Sequence, residues 1–257
     1  KNWKVYRSRF VEPKRLAAGQ QFWKKHQPFI KEVSQQTGVP PEIIVAIIGV
    51  ETEYGRNMGS FNVLNALASI GFYGERRREF FQSELEQYLL LARDNAMDLS
   101  STRGSFAGAL GIPQFMPGSI KRFAVSASGT TQINLSGSVP DAIMSVANFL
   151  VEHGWQRGLP VFAPVTLPAS ASKLVDGGLK PTLDWPQLRA AGARLAPGAA
   201  EGPWMRSALG VIDLPEESAG TVELRTATQN FFTITQYNRS YFYAASVADL
   251  ATELGKP

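Results

Sequence analysis

The pattern of apolar and polar positions changes along the chain and predicts two kinds of secondary structure. Over residues 20–155, apolar residues recur at helical spacing between Gly, Ser and Pro interruptions. Over residues 159–228, short apolar runs stand among prolines, glycines and alanines, which is typical of a small β-rich region. A strand-like run, 231–235, then precedes a helix that begins near Tyr241. The pattern therefore predicts an α+β protein that is mainly α.

Several helices of the first region can be placed by their end signals. Glycine favours the position just past a helix and proline the first turn. The signals predict one helix that ends at Gly38, one over about 40–55, one over about 75–97 and one over about 138–153.

The helix predicted over 40–55 carries an unusual carboxylate. An almost unbroken apolar run, Ile43–Val50, leads directly into Glu51. At about 100° per residue, Ile44 and Ile48 lie on the same side of the helix as Glu51, whereas Glu53 points roughly the opposite way. We therefore expect Glu51 to continue the core-facing side and Glu53 to face solvent.

A carboxyl group in this position has a distinctive electrostatic environment. The negative end of the helix dipole and desolvation both disfavour the ionised form, so Glu51 should hold its proton more tightly than in water. General acids are made in this way. The alternative is a buried glutamate that pairs with an arginine or accepts from a backbone donor, and the helix alone favours neither.

Composition excludes several classes of function. The 257 residues are 44% hydrophobic and 19% charged, which is ordinary for a globular chain, and they include no cysteine and only two histidines. Disulfides, thiolate chemistry and multi-histidine metal sites are therefore excluded. The net charge of +4 permits binding to anionic polymers, but the basic residues are dispersed apart from Arg76–Arg78, so nucleic-acid binding is not supported. No apolar stretch reaches the roughly 20 residues that span a bilayer.

A glycine-rich segment, 104–117, is the second candidate for chemistry. Its spacing is not that of a phosphate-binding P-loop. It places Ser105 and Gln114 near apolar side chains, a mixture that suits a sugar because hydroxyls need polar partners and the ring needs an apolar surface. The alternative is a tight turn between helices around Gly108 and Gly111.

Two further segments allow both a functional and a structural interpretation. Segment 230–243 is crowded with aromatic and amide side chains, which could line a glycan groove or form the seam where a C-terminal helix packs. Arg76–Arg78 lies at a predicted helix start, where positive charge opposes the dipole. These arginines could clamp a ligand carboxylate or simply pair with Glu75 and Glu79 on a solvated surface.

Taken in order, several separated motifs resemble the B family of lytic murein transglycosylases. They are Val39–Val45, Gly49–Gly55, Arg76–Arg77, Gly104–Pro117 and Ile234–Ser240, together with Tyr6–Phe10 near the start. The resemblance implies a lysozyme-like α core with an additional α subdomain and a small β-rich subdomain. We expect an α region at 1–158 that includes the core, the β-rich subdomain at 159–228, and a segment at 229–257 that returns to the core and groove.

The resemblance also implies an activity and its residues. Members cleave the MurNAc-β-1,4-GlcNAc bond of peptidoglycan without water and leave a 1,6-anhydroMurNAc end. Glu51 falls on the single acid that becomes a base, and the substrate's N-acetyl group assists, so no second carboxylate is required. The other implied positions are the groove residues Tyr6, Ser105, Gln114, Tyr237, Asn238 and Tyr243, and the peptide-side arginines Arg76 and Arg77. A hydrolytic muramidase and a non-catalytic peptidoglycan-binding scaffold are the alternatives.

Cofactor, partners and location follow from the same resemblance. Relatives can carry an EF-hand-like calcium loop, but the corresponding segment here, 126–134, lacks acidic ligands, and Asp141 alone supplies too little charge for Ca²⁺. We expect no calcium and no other cofactor. The expected partners are peptidoglycan glycan strands, muropeptides and cell-wall synthesis or hydrolysis complexes, but no nucleic acid. The expected location is the periplasm, at the outer membrane through a lipid anchor upstream of Lys1.

Overall fold

Helices make up most of the regular structure in the computed structural model, which describes residues 1–256. They are α1 (Trp3–Ser8), α2 (Pro13–Thr37), α3 (Pro41–Thr52), α4 (Val63–Tyr73), α5 (Arg78–Asp94), α6 (Pro117–Phe123), α7 (Val139–Glu152), α8 (Trp185–Ala190), α9 (Gln229–Ile234) and α10 (Tyr241–Leu254). No helix among residues 1–256 has the length and apolar character needed to cross a membrane.

The strands form small antiparallel pairs. The pairs are β1 (Phe61–Asn62) with β2 (Arg103–Gly104), β3 (Val165–Thr166) with β4 (Arg194–Leu195), and β5 (Leu209–Glu216) with β6 (Thr221–Thr228). The last pair is the longest, and its register runs from Leu209 opposite Thr228 to Glu216 opposite Thr221.

The chain divides into two compact units. One comprises residues 17–149, and the other combines residues 1–16 with the chain from Leu150 onward. In the second unit, a buried apolar cluster lies entirely within the expected β-rich subdomain. It comprises Ala163, Leu188, Ala193, Trp204, Leu209 and Val211. The expected boundaries at 158 and 228 do not coincide with the division into units and stay predictions.

Helix α3 is the most buried element of the 17–149 unit. Pro41 begins it, and the seven residues from Ile43 to Gly49 are all buried. A helix that is apolar on every side is stable only inside a core. This burial gives α3 a fixed position, and Glu51 lies in its last turn.

Two predictions about local structure are wrong. Residues 231–235, predicted as strand-like, lie in α9 and its C-cap, and all five are buried. A helix forms there because the Thr228 hydroxyl caps its first turn by accepting from the Asn230 N–H. The helix predicted over 40–55 ends earlier, at Thr52, because the following residues leave the right-handed helical conformation.

In the other unit, charge pairs join α1, β6 and α10. The guanidinium of Arg225 donates to Asp249 at 2.6 and 3.2 Å, and Arg7 Nε donates to the same carboxylate at 2.6 Å. Arg225 also lies 5.6 Å from the ring centroid of Trp3, which is 3% exposed. These contacts fix the N-terminal helix against the C-terminal one.

Candidate active site

Glu51 lies at the end of a buried helix, as its spacing predicts. Ile44, Ile47 and Ile48 are fully buried, and the side chain of Glu51 is half-buried. Glu53 is exposed, as expected. The acid therefore lies where an apolar core reaches the protein surface.

The chain closes α3 immediately after Glu51. Glu53, Tyr54 and Gly55 take positive φ angles of 50°, 63° and 87°, a left-handed run that is costly for the first two residues. The Tyr54 ring packs directly against Gly49: a Cβ added at Gly49 would lie only 2.6 Å from Tyr54 Oη. Glycine at this position lets the tyrosine cover the last turn that carries Glu51.

Thr52 joins this helix end to the glycine-rich segment. Its Oγ1 donates to the Ile112 carbonyl at 2.8 Å and accepts from the Gly55 N–H at 3.0 Å. In the same region, Gln114 Nε2 donates to the carbonyls of Met58 at 3.1 Å and Gly111 at 2.9 Å. The structure thus places Gln114 in the segment attached to the end of the Glu51 helix.

Inside the glycine-rich segment, the backbone folds tightly. Ser105 Oγ accepts from the N–H groups of Ala107 at 3.2 Å and Ala109 at 3.0 Å. Gly108 and Gly111 have φ angles of 85° and 72°, and added methyl groups would meet neighbouring residues at 2.4 and 2.7 Å. The tight-turn interpretation therefore describes this backbone. It is compatible with a sugar-binding role, because Ser105 keeps a hydroxyl proton to donate.

Arg76 and Arg77 are both exposed just before α5. Arg77 has a φ of 58°, and its guanidinium lies 4.0 Å from the ring centroid of Phe80. Phe72 and Tyr73, at the end of the preceding helix, are 57% and 86% exposed. Cationic and aromatic side chains are thus both exposed where α4 ends and the chain leads into α5.

The other expected groove residues lie in the unit formed by 1–16 and the chain from Leu150 onward. Tyr237 and Tyr243 stack with ring centroids 6.4 Å apart and an interplanar angle of 18°. Asn238 is exposed, whereas Tyr243 is only 3% exposed and can support a groove wall better than it can contact a sugar. The Tyr6 ring lies 5.4 Å from that of Phe242.

Residues 1–252 match the family model described as a transglycosylase SLT domain. This chain belongs to that family. It is 42% identical over 249 residues to membrane-bound lytic murein transglycosylase B of Escherichia coli, covering 96% of this chain but 66% of that protein's length. The membership confirms the resemblance found in the sequence motifs.

Solved structures of family members have the same fold. The lytic transglycosylase Slt35 of Escherichia coli in complex with calcium matches with a TM-score of 0.86 and 39% identity, covering 98% of this chain and 78% of that one. SltB3 of Pseudomonas aeruginosa in complex with NAG-anhNAM-pentapeptide matches with a TM-score of 0.82 and 30% identity, covering 98% and 66%. The expected α+β, mainly α class with a lysozyme-like core is confirmed.

Residues 126–134, which the sequence resemblance relates to a calcium loop of relatives, are held by hydroxyl groups and backbone donors. The hydroxyls of Ser126, Ser128 and Thr130 contact one another at 3.0, 3.2 and 3.2 Å, an arrangement that we call the hydroxyl triangle. Asp141 accepts from the N–H groups of Ala127 and Asn134, each at 2.9 Å. Because Ca²⁺ prefers several carboxylate oxygens, these residues do not fit the ion.

Residues that act through long-range contacts were not predicted from the sequence. Thr52 lies in the motif Gly49–Gly55, but the motif does not show its hydrogen bond to Ile112, 60 positions away. The contacts of Gln114 with the Met58 carbonyl and of Tyr54 with Gly49 were likewise absent from any local pattern. Only the presence of a glycine in an otherwise bulky apolar run hinted at a side chain packed over Gly49.

Proposed function

We propose that this protein is a lytic murein transglycosylase that cleaves the MurNAc-β-1,4-GlcNAc bond and forms a 1,6-anhydroMurNAc end. The observation that carries the proposal is the position of Glu51, a half-buried carboxyl at the end of a buried helix, beside a glycine-rich segment attached through Thr52. Family membership over residues 1–252 supports the same activity.

The chemistry needs one carboxyl group that works twice. Protonated Glu51 donates its proton to the bridging oxygen as the bond from that oxygen to C1 of MurNAc breaks, and the substrate's N-acetyl group stabilises the cationic carbon. The Glu51 carboxylate then removes the proton of the 6-hydroxyl, whose oxygen bonds to C1. The proton returns to Glu51, and no water is consumed.

The other buried carboxylates in the described part of the 17–149 unit support a one-acid mechanism. Glu84 accepts from the Gly118 N–H at 2.7 Å, and both oxygens of Asp141 accept backbone N–H groups. A carboxylate engaged in this way is poorly suited to activating water, which a hydrolytic muramidase would require.

The test is product analysis with a matched pair of variants. Glu51→Gln should abolish release of anhydro-muropeptides from purified peptidoglycan while glycan binding persists, and the exposed Glu53→Gln should behave as wild type. Mass spectrometry distinguishes the alternatives, because hydrolysis adds one water to each product. Reducing ends would support a muramidase, and no soluble product from the wild type would support a scaffold.

Substrate recognition is proposed for the remaining candidates. Ser105 and Gln114 would bind sugar hydroxyl or N-acetyl groups, and Arg76 and Arg77 would face the stem peptide. Within the unit formed by 1–16 and the chain from Leu150 onward, Tyr6, Tyr237 and Asn238 would contact glycan, and the buried Tyr243 would support the Tyr237 ring. The complex of SltB3 with a NAG-anhNAM-pentapeptide supports a muropeptide as the ligand class.

We further propose that the protein acts in the periplasm, anchored at the outer membrane and associated with cell-wall synthesis or hydrolysis complexes. The membrane-bound description of the Escherichia coli relative supports a membrane association. Fractionation of cells and crosslinking of the full-length protein would test the location and the complexes separately.

We also propose that the protein works without calcium. The hydroxyl triangle lets neutral side chains satisfy one another, while the charge of Asp141 is balanced by backbone donors. No cation is needed to neutralise this loop.

A further inference from the structure

Glu84 is a buried carboxylate that the proposed chemistry does not use. It lies in α5, is 6% exposed, and its Oε2 accepts from the Gly118 N–H at 2.7 Å. A buried charge is costly unless it is hydrogen-bonded. The contact therefore holds the Glu84 carboxylate and the Gly118 N–H close to each other.

The partner group is suited to a carboxylate. Gly118 lies in the first turn of α6, where backbone N–H groups have no partner within the helix and the helix dipole is positive. The preceding residue, Pro117, has no N–H at all. A Cβ at Gly118 would lie 2.9 Å from Glu84 Oε1, so the absence of a side chain allows the carboxylate to approach.

Helix α6 begins where the glycine-rich segment ends. Phe115 and Leu110 exchange backbone hydrogen bonds of 2.8 and 3.1 Å across the last turn of that segment. Between them lies Gln114, with a φ of 52°. Thr52 binds the middle of the segment, and Glu84 binds the residue that directly follows its C-terminal end.

We propose that Glu84 is a positioning residue that holds the glycine-rich segment so that Gln114 can bind the glycan. This inference rests on the proposed function for the role of Gln114. Glu84 acts through the Gly118 backbone and does not itself touch the substrate.

Removing the carboxylate should weaken glycan binding. Glu84→Ala leaves the Gly118 N–H without this acceptor and releases the end of the segment, and a displacement of about 1 Å can cost on the order of a hundredfold in activity. We expect the dissociation constant for a soluble GlcNAc–MurNAc oligomer to rise at least about tenfold. Glu84→Gln keeps an acceptor oxygen and should restore most of the affinity.

The measurement is calorimetric binding of that oligomer in the Glu51→Gln background, with Tm recorded for every variant. Glu86→Ala is the matched control, because Glu86 is exposed on the same helix. Val33→Ala is a second control: it removes a buried side chain in α2 and should lower Tm without changing the glycine-rich segment. Should Glu84→Ala fold poorly, Gly118→Ala tests the same contact, since its methyl group displaces the carboxylate.

The proposal predicts weak binding by Glu84→Ala and Gly118→Ala, and near-normal binding by the Gln variant and both controls. It is overturned if Glu84→Ala binds as Glu86→Ala does, or if Val33→Ala loses as much affinity at an equal loss of Tm. Failure of the proposed function looks different: the wild type would then release reducing ends or no soluble product, or Glu51→Gln would release anhydro-muropeptides at the wild-type rate.

Discussion

Replacing Thr52 with valine tests whether the end of the Glu51 helix depends on the glycine-rich segment. The two side chains have nearly the same shape, so the main effect of the change is the loss of one hydroxyl and its hydrogen bonds. That hydroxyl is buried, and it donates to the Ile112 carbonyl at 2.8 Å and accepts from the Gly55 N–H at 3.0 Å. The substitution leaves both backbone groups without this partner.

The expected decrease in the free energy of unfolding follows from the burial of the two backbone groups that lose their partner. Leaving a buried polar group unpaired costs about 1–3 kcal/mol, and Ile112 is buried. Gly55 is half-buried, so water can replace part of its lost bond. The free energy of unfolding should therefore fall by about 2–3 kcal/mol, which corresponds to a decrease in Tm of about 4–12 °C for a chain of this size. Turnover should fall as well, because the segment and Glu51 lose their common attachment.

Urea and thermal unfolding measure the stability, and release of anhydro-muropeptides measures the activity. Thr252→Val is the control: its hydroxyl donates to the Ala248 carbonyl one turn earlier in α10, at 2.9 Å, in the other unit. It should change stability by less than about 0.5 kcal/mol. Equal stability and activity of the Thr52 and Thr252 variants would contradict a structural role for the Thr52 hydroxyl.

Three further outcomes are expected. Gly49→Ala should cost about 1–3 kcal/mol in unfolding experiments, because its methyl group would overlap the Tyr54 ring, and unchanged stability would contradict that packing. The pKa of Glu216 is lowered, chiefly by the Lys4 backbone N–H, so its stabilisation is present above the unfolded pKa and lost as pH falls through the folded one. The urea midpoints of wild type and Glu216→Gln should therefore differ at neutral pH and converge in acid, and a pH-independent difference would exclude this origin. Millimolar calcium or a chelator should leave Tm unchanged, whereas replacing the hydroxyl triangle with three aspartates should make Tm rise with calcium; a calcium-dependent wild type would overturn the calcium-free proposal.

The sequence was sufficient where one helix carried its own signals. Proline at the start of α3, the apolar run and the rotation per residue together were enough to predict that Glu51 continues the core-facing side and that Glu53 is exposed. The same reasoning failed for 231–235, since a short apolar run fully buried in a helix looks like a buried strand. The helix is fixed by its N-cap, Thr228, which is the last residue of β6 and has an extended conformation.

The attachments of the site lie beyond local patterns. The bonds from Thr52 to Ile112 and from Glu84 to Gly118 join residues 60 and 34 positions apart. Periodicity assigns a residue to a side of its own element, and it carries no information about which element packs there. Family resemblance supplied the identities of the expected groove residues, but not the burial of Tyr243.

The position of Glu51 depends on where α3 ends, and residues Glu51 to Gly55 set that end. If α3 continued past Thr52, Glu51 would lie in the middle of a helix and not in its last turn. The left-handed run of Glu53, Tyr54 and Gly55 ends the helix within two residues of the acid, and Thr52 uses the same turn to bind the glycine-rich segment. One turn thus keeps the proton donor at the helix end and attaches the proposed sugar-binding residues. Substitutions that lengthen the helix should therefore reduce catalysis even where Glu51 is unchanged.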